Sequence, residues 1–175
     1  VNKDTDGDCL DDGYEYNLAQ ESGHAHSGYS YWLVDDILVD HDGDGLNWIE
    51  EYNIGSHIEF ADTDGDTLDD FDEYFVYHTN PTNNETDVDN LLDAVEINTS
   101  KTDPFDTETD NDRIGDAYEY NTEIFYEDIG GNTVSYYLNA TLYDTDSDGL
   151  SDYVELVESG TVPFEPDSDY DGVSD

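Results

Sequence analysis

In the stretch DTDSDGLSDYVE, residues 144–155, a carboxylate stands at every second position, followed by a glycine, an apolar residue and two further acids. Carboxylates crowded in this way repel one another, so a compact fold here requires positive charge among them. The pattern recurs as DTDGDCLDDGYE from Asp4, DHDGDGLNWIEE from Asp40, DTDGDTLDDFDE from Asp62, ETDVDNLLDAVE from Glu85, ETDNDRIGDAYE from Glu108 and DSDYDGVSD from Asp167. Successive copies start 36, 22, 23, 23, 36 and 23 residues apart. Units this small cannot each own a core, so they must lean on their neighbours or on bound ions.

The chain itself does not supply the positive charge. It carries 48 acidic and 3 basic residues, a formal net charge of −45. That balance excludes nucleic-acid binding through phosphates, which needs Lys and Arg, and argues against an anionic membrane surface. Such a charge alone would favour disorder, but 15 Tyr, 6 Phe and 2 Trp provide aromatic surface that disordered acidic tails lack. A fold that becomes stable once cations bind reconciles the two.

The spacing is that of a calcium loop. An EF-hand-type loop takes side-chain oxygens from places one, three and five, a backbone carbonyl from place seven, a direct or water-mediated ligand from place nine and a bidentate carboxylate from place twelve. Those places hold Asp4, Asp6, Asp8, Leu10, Asp12 and Glu15 in the first copy, and Asp40, Asp42, Asp44, Leu46 and Glu51 in the second, where Trp48 stands at place nine. They hold Asp62, Asp64, Asp66, Leu68, Asp70 and Glu73 in the third and Glu85, Asp87, Asp89, Leu91, Asp93 and Glu96 in the fourth. Glu108, Asp110, Asp112, Ile114, Asp116 and Glu119 follow, then Asp144, Asp146, Asp148, Leu150, Asp152 and Glu155, and finally Asp167, Asp169, Asp171, Val173 and Asp175. A salt-adapted acidic surface would explain the charge, but it does not require an apolar residue at place seven of every copy. The two readings are compatible. Place six needs a positive φ, which Gly45, Gly149 and Gly172 adopt freely. Cys9, Thr67, Asn90 and Arg113 stand there in the other loops, with β-branched Thr67 fitting worst.

The motif D-x-D-x-D-G-hydrophobic-x-D-x-x-E, with turns reading HTNPTNN (78–84) and KTDPFDT (101–107), resembles thrombospondin type 3 repeats, above all their microbial form. The resemblance covers nearly the whole chain and implies up to about seven Ca2+ ions. It also implies a secreted or cell-surface setting, and a role as spacer, stalk, adhesive or structural segment. The expected fold class is an elongated, calcium-dependent repeat array of loops with short helices and little regular sheet, without the paired-loop opening of calmodulin. The apolar residue sits at place seven rather than eight, and Pro81, Pro104 and Pro163 disfavour helices entering the loops.

A longer period overlies the loops: starts 4 and 108, 40 and 144, and 62 and 167 correspond, as do DGYEYN (12–17) and DAYEYN (116–121). Residues 1–107 form a four-loop super-repeat and 108–175 a second, shorter copy, so the chain reads as a mature protein or a slice of a longer one. The extra residues of the long units predict two hairpin-like insertions, one over 123–143 around Gly130, Gly131 and Asn132, and a weaker one over 24–39. These either cover adjacent loops or offer a strand edge to a second chain. Leu68, Phe71, Phe75 and Val76, like Leu150, Tyr153, Val154 and Val157, have helix spacing and are expected to pack on neighbouring loops.

No nucleophile motif accompanies the Ser and His residues, so the chain is not expected to be an enzyme. His24 and His26 lack a third soft ligand for zinc. Cys9 has no internal disulfide partner. No apolar run is long enough to span a membrane. Sequons at Asn84, Asn98 and Asn139 are compatible with secretion. Three roles remain open: a calcium-rigidified segment of a fibre, stalk or surface layer that assembles with its own copies; an adhesion module using aromatic hairpins; and a spacer beside a secreted enzyme.

Overall fold

The structure is a computed structural model that describes Asp4, Thr5, Gly13 and residues 39–128 and 130–175. The remaining residues of the Asp4 loop, Cys9, the two histidines and most of the 24–39 insertion lie outside the described residues. The chain groups into two compact units, Val1–Asn84 and Glu85–Asp175.

Regular structure is sparse, with short helices and one two-stranded sheet among the described residues. Helix α1 (Trp48–Ile54) begins at a capping box, in which the Asn47 side chain accepts from the Glu50 N–H and Glu50 returns a carboxylate to the Asn47 N–H. It ends at Gly55, whose left-handed conformation lets its N–H reach the Glu51 carbonyl. Helix α2 starts as Asp70–Asp72 and widens into a π turn over Glu73–Tyr77; α3 does the same from Asp93–Val95 into Glu96–Ser100. Helix α4 is Asp116–Asn121, and α5 is a π turn over Val154–Ser159. Helices of six to eight residues are far below the length that is stable alone. Their loops must hold them.

Strands β1 (Ile124–Glu127) and β2 (Thr133–Tyr136) form the antiparallel hairpin expected over 123–143, in the register Ile124↔Tyr136 and Phe125↔Ser135. The Asp128 carboxylate ties its turn by accepting from the N–H groups of Gly130 and Asn132. One face of the hairpin sends Tyr126 and Tyr136 onto Phe164, with rings 5.2 and 4.1 Å apart, and the Tyr126 hydroxyl donates to Glu165 at 2.8 Å. The other face leaves Phe125 and Tyr137 exposed.

The interior is inverted relative to an ordinary domain. Nine hydrophobic side chains, with Pro81 and Pro163, are buried among the described residues, against fifteen polar ones, eleven of them carboxylates. Place-seven residues Leu46, Leu68, Leu91 and Ile114 are in the apolar set, with Trp48 and Ile58, each contributing about 1.5–3 kcal/mol by burial. Leu150 is half-buried and Val173 exposed. Phe75, Val76 and Val157, expected to pack on neighbouring loops, are exposed: the π turns rotate them out of the helical stripe that periodicity projects. Among the described residues no helix is long and apolar enough to cross a membrane.

Candidate metal centre

The described loops wind by closely similar local hydrogen bonds. The place-nine N–H closes it onto the carbonyl just before place one: Trp48 to Val39, Asp70 to Ala61, Asp116 to Thr107, Asp152 to Tyr143 and Asp175 to Pro166. Inside, backbone N–H groups hold most of the carboxylates at places one, three and five. The Asp40 Oδ1 and Oδ2 accept from the N–H groups of Gly43 and Gly45, at 2.7 and 3.2 Å, and Asp62 and Asp144 repeat this arrangement. At place three, Oδ1 of Asp42, Asp64, Asp87, Asp110 and Asp146 accepts the place-five N–H. At place five, Oδ1 of Asp44, Asp66, Asp89, Asp112 and Asp148 accepts the N–H of Leu46, Leu68, Leu91, Ile114 and Leu150.

This winding requires positive φ at place six, as expected for Thr67 (91°), Asn90 (76°) and Arg113 (86°). It also requires positive φ at place four, which the sequence does not announce: Val88, Asn111, Ser147 and Tyr170 adopt it beside Gly43 and Gly65.

The result gathers places one, three and five. Asp40, Asp42 and Asp44 each offer an oxygen within 4.8 Å of the others, as do Asp62, Asp64 and Asp66; Glu85, Asp87 and Asp89; Glu108, Asp110 and Asp112; and Asp144, Asp146 and Asp148. The free place-three oxygens, Oδ2 of Asp42, Asp64, Asp87, Asp110 and Asp146, are buried without a hydrogen-bond partner.

Place twelve closes the cluster. Glu51, Glu73, Glu96, Glu119 and Glu155 are each fully buried. In three loops a threonine six residues on donates to one carboxylate oxygen: Thr79 to Glu73, Thr102 to Glu96 and Thr161 to Glu155. The other oxygen of each has no partner. His57 and Phe125 occupy the corresponding positions in the other two loops, and both oxygens of Glu51 and of Glu119 are unpartnered. Burial, reinforced by Asp42 and Asp44, pushes Glu51 up to about 9; burial with Asp110, Asp112 and Asp152 does the same for Glu119. Glu73, Glu96 and Glu155 rise to about 8, burial being the largest cause in each. Asp64, Asp87 and Asp110 rise to about 6, chiefly through burial. The T-x-P turns visible in the sequence therefore have a specific task, which is to orient the place-twelve carboxylate.

The described place-nine aspartates are each bracketed by the hydroxyl residue at place two. Asp70 accepts from Thr63 twice, from N–H at 2.9 Å and from Oγ1 at 2.7 Å. Asp93 takes the same pair from Thr86, Asp116 from Thr109 and Asp152 from Thr145; Asp175 takes it from Ser168. These brackets join places two and nine. In the Asp40 loop His41 and Trp48 replace the bracket with ring contact at 4.8 Å. The Asp167 loop keeps the backbone pattern around Asp167, Asp169, Asp171 and Val173 but is largely exposed.

Buried, unpartnered, anionic oxygens facing one another cost several kcal/mol each in the absence of a counter-charge. An all-oxygen donor set of carboxylates suits a hard divalent cation rather than zinc or a redox metal. Such groups can hold a metal ion. No protein-family model, curated protein or solved structure matches the chain.

Proposed function

We propose that the chain is a calcium-binding structural repeat segment of a secreted or cell-surface protein, similar in its loops to thrombospondin type 3 repeats and made rigid by Ca2+. The observation that carries this reading is the set of five fully buried place-twelve glutamates, each with at least one unpartnered oxygen, beside clusters of three carboxylates. Calcium takes six to eight oxygens at flexible geometry, which a loop of four carboxylates and a carbonyl supplies, whereas magnesium demands a tighter octahedron. The role is mechanical rather than catalytic: ions replace the apolar core and set the stiffness of a serial array, extended along its repeats and carrying up to about seven ions.

The test is calcium-dependent folding. Circular dichroism and solution scattering should report an expanded, poorly helical chain in EDTA at low salt and an ordered, elongated one in calcium, with affinities of roughly 10⁻⁴ to 10⁻³ M. Glu155→Gln should remove one ion from the calorimetric stoichiometry or weaken it about tenfold, leaving the rest bound. A spectrum indifferent to EDTA would rule the reading out.

A further inference from the structure

Three pairs of successive loops touch at one recurrent point. The second oxygen of a place-five aspartate, the one its own loop leaves free, accepts the place-ten N–H of the following loop. Asp44 Oδ2 accepts from Phe71 at 3.2 Å, Asp89 Oδ2 from Ala117 at 3.2 Å and Asp112 Oδ2 from Tyr153 at 3.0 Å. These pairs lie 27, 28 and 41 residues apart, so the contact survives a change in spacer length. The residue just before each donor is a fully buried place-nine aspartate: Asp70, Asp116 and Asp152. The contact therefore brings that carboxylate to the preceding cluster.

We propose that each of these metal sites is composite, with the place-nine aspartate of the following loop belonging to the preceding ion's shell: Asp70 for the Asp40 loop, Asp116 for the Glu85 loop and Asp152 for the Glu108 loop. This rests on the metal-binding reading. Electrostatics agree with the geometry, since Asp70 raises both Asp44 and Glu51, and Asp152 acts on Glu119 more strongly than that loop's own Asp116. The Asp40 loop shows the need most plainly. Its own place nine is Trp48, so Asp70 is the place-nine carboxylate available to it. The Thr63 bracket fixes Asp70 while leaving lone pairs on both oxygens for the ion or its water. A bound ion would then join two loops, and the order of loops along the chain becomes an order of ions.

Trp48 sits in the Asp40 loop and is one of two tryptophans, so in a Trp32→Phe background tryptophan-sensitised terbium luminescence reports that site. Titration of this protein should give a saturable signal that Glu51→Gln abolishes; absence of any signal would sink the metal-binding reading itself. Asp70→Asn, which keeps the shape and can keep the Thr63 bracket, should weaken the Trp48-sensitised midpoint by about tenfold. Asp72→Asn removes the same charge from the exposed side of the same helix and should shift it by less than about threefold. Equal shifts for the two variants, or no shift for Asp70→Asn while Glu51→Gln still abolishes the signal, overturn the composite site alone. If Asp70→Asn does not fold, the ion-loaded wild-type structure decides. The Asp70 carboxylate should lie in the shell of the ion in the Asp40 loop, directly or through one water; wider separation overturns the proposal.

Discussion

Thr67 holds a φ of 91° in a loop whose place-six N–H must reach Asp62 Oδ2. A β-branched residue in that region costs about 1–2 kcal/mol, and nothing in the chemistry of the loop uses its hydroxyl. Thr67→Gly is therefore expected to stabilise the calcium-loaded protein by about 1 kcal/mol, offset in part by the greater freedom of glycine in the unfolded chain. Denaturant unfolding at saturating calcium measures it, and an unchanged or lowered midpoint counts against the strain. Arg113, equally strained at 86°, differs because its guanidinium lies 5.5 Å over the Tyr153 ring. Arg113→Gly should gain less, since it loses that contact. Gly45 is the residue where both constraints meet: its φ is 109°, and a Cβ there would come within 3.3 Å of the Phe71 ring. The place-six demand is readable from the glycines in three loops. The same demand at place four is masked in the sequence by Val88 and Tyr170.

At the scale of the element, loop and helix are one unit joined by the place-twelve glutamate. Its carbonyl takes the N–H that ends the helix, Gly55 to Glu51, Lys101 to Glu96 and Gly160 to Glu155, while its side chain faces the loop. Without metal, the side chain makes the element pH-sensitive in a defined direction. Burial raises these glutamates from 4.5 to about 8 or 9 in the folded state, so between those limits the folded form holds more protons than the unfolded one. The contribution is fully present below about pH 4.5 and is lost as pH rises through 8–9. The metal-free protein should melt at a higher temperature at pH 5 than at pH 9, and the order should reverse once calcium displaces those protons. A metal-free melting point that climbs from pH 5 to pH 9 contradicts the assignment. Helical periodicity marked where these elements begin but not their π widening, because that depends on the threonines and the loop pulling the glutamate inward.

For the whole molecule, a net charge of −45 keeps copies apart unless it is neutralised. The hairpin divides its aromatics: Tyr126 and Tyr136 pack on Phe164, although Tyr136 stays partly exposed, while Phe125 and Tyr137 are exposed on the other face and Tyr143 is exposed beyond the strands. If copies of the chain associate through this insertion, partial neutralisation by calcium should permit it and Phe125→Asp/Tyr137→Asp should prevent it, whereas Tyr136→Asp should destabilise the hairpin instead. Light scattering and electron microscopy with and without calcium separate these outcomes. A wild type that stays monomeric at high protein and calcium concentration leaves the spacer role standing.

The sequence by itself determined what is local. Places one, three and five meet because alternate residues of a tight turn project to the same centre, and the hairpin turns where Gly130, Gly131 and Asn132 permit it. Distances along the chain of two to twelve residues suffice for both. What tertiary structure alone decided is which oxygens remain unpartnered. The reach of Asp44, Asp89 and Asp112 to the next loop, across 27, 28 and 41 residues, takes one oxygen from each, and burial closes water off from the oxygens that the nearby threonines leave unpaired. In a chain with 48 acids the residue type does not distinguish a ligand from a brace. The distinction rests on which lone pairs are already taken, and that follows from three-dimensional burial and hydrogen bonding.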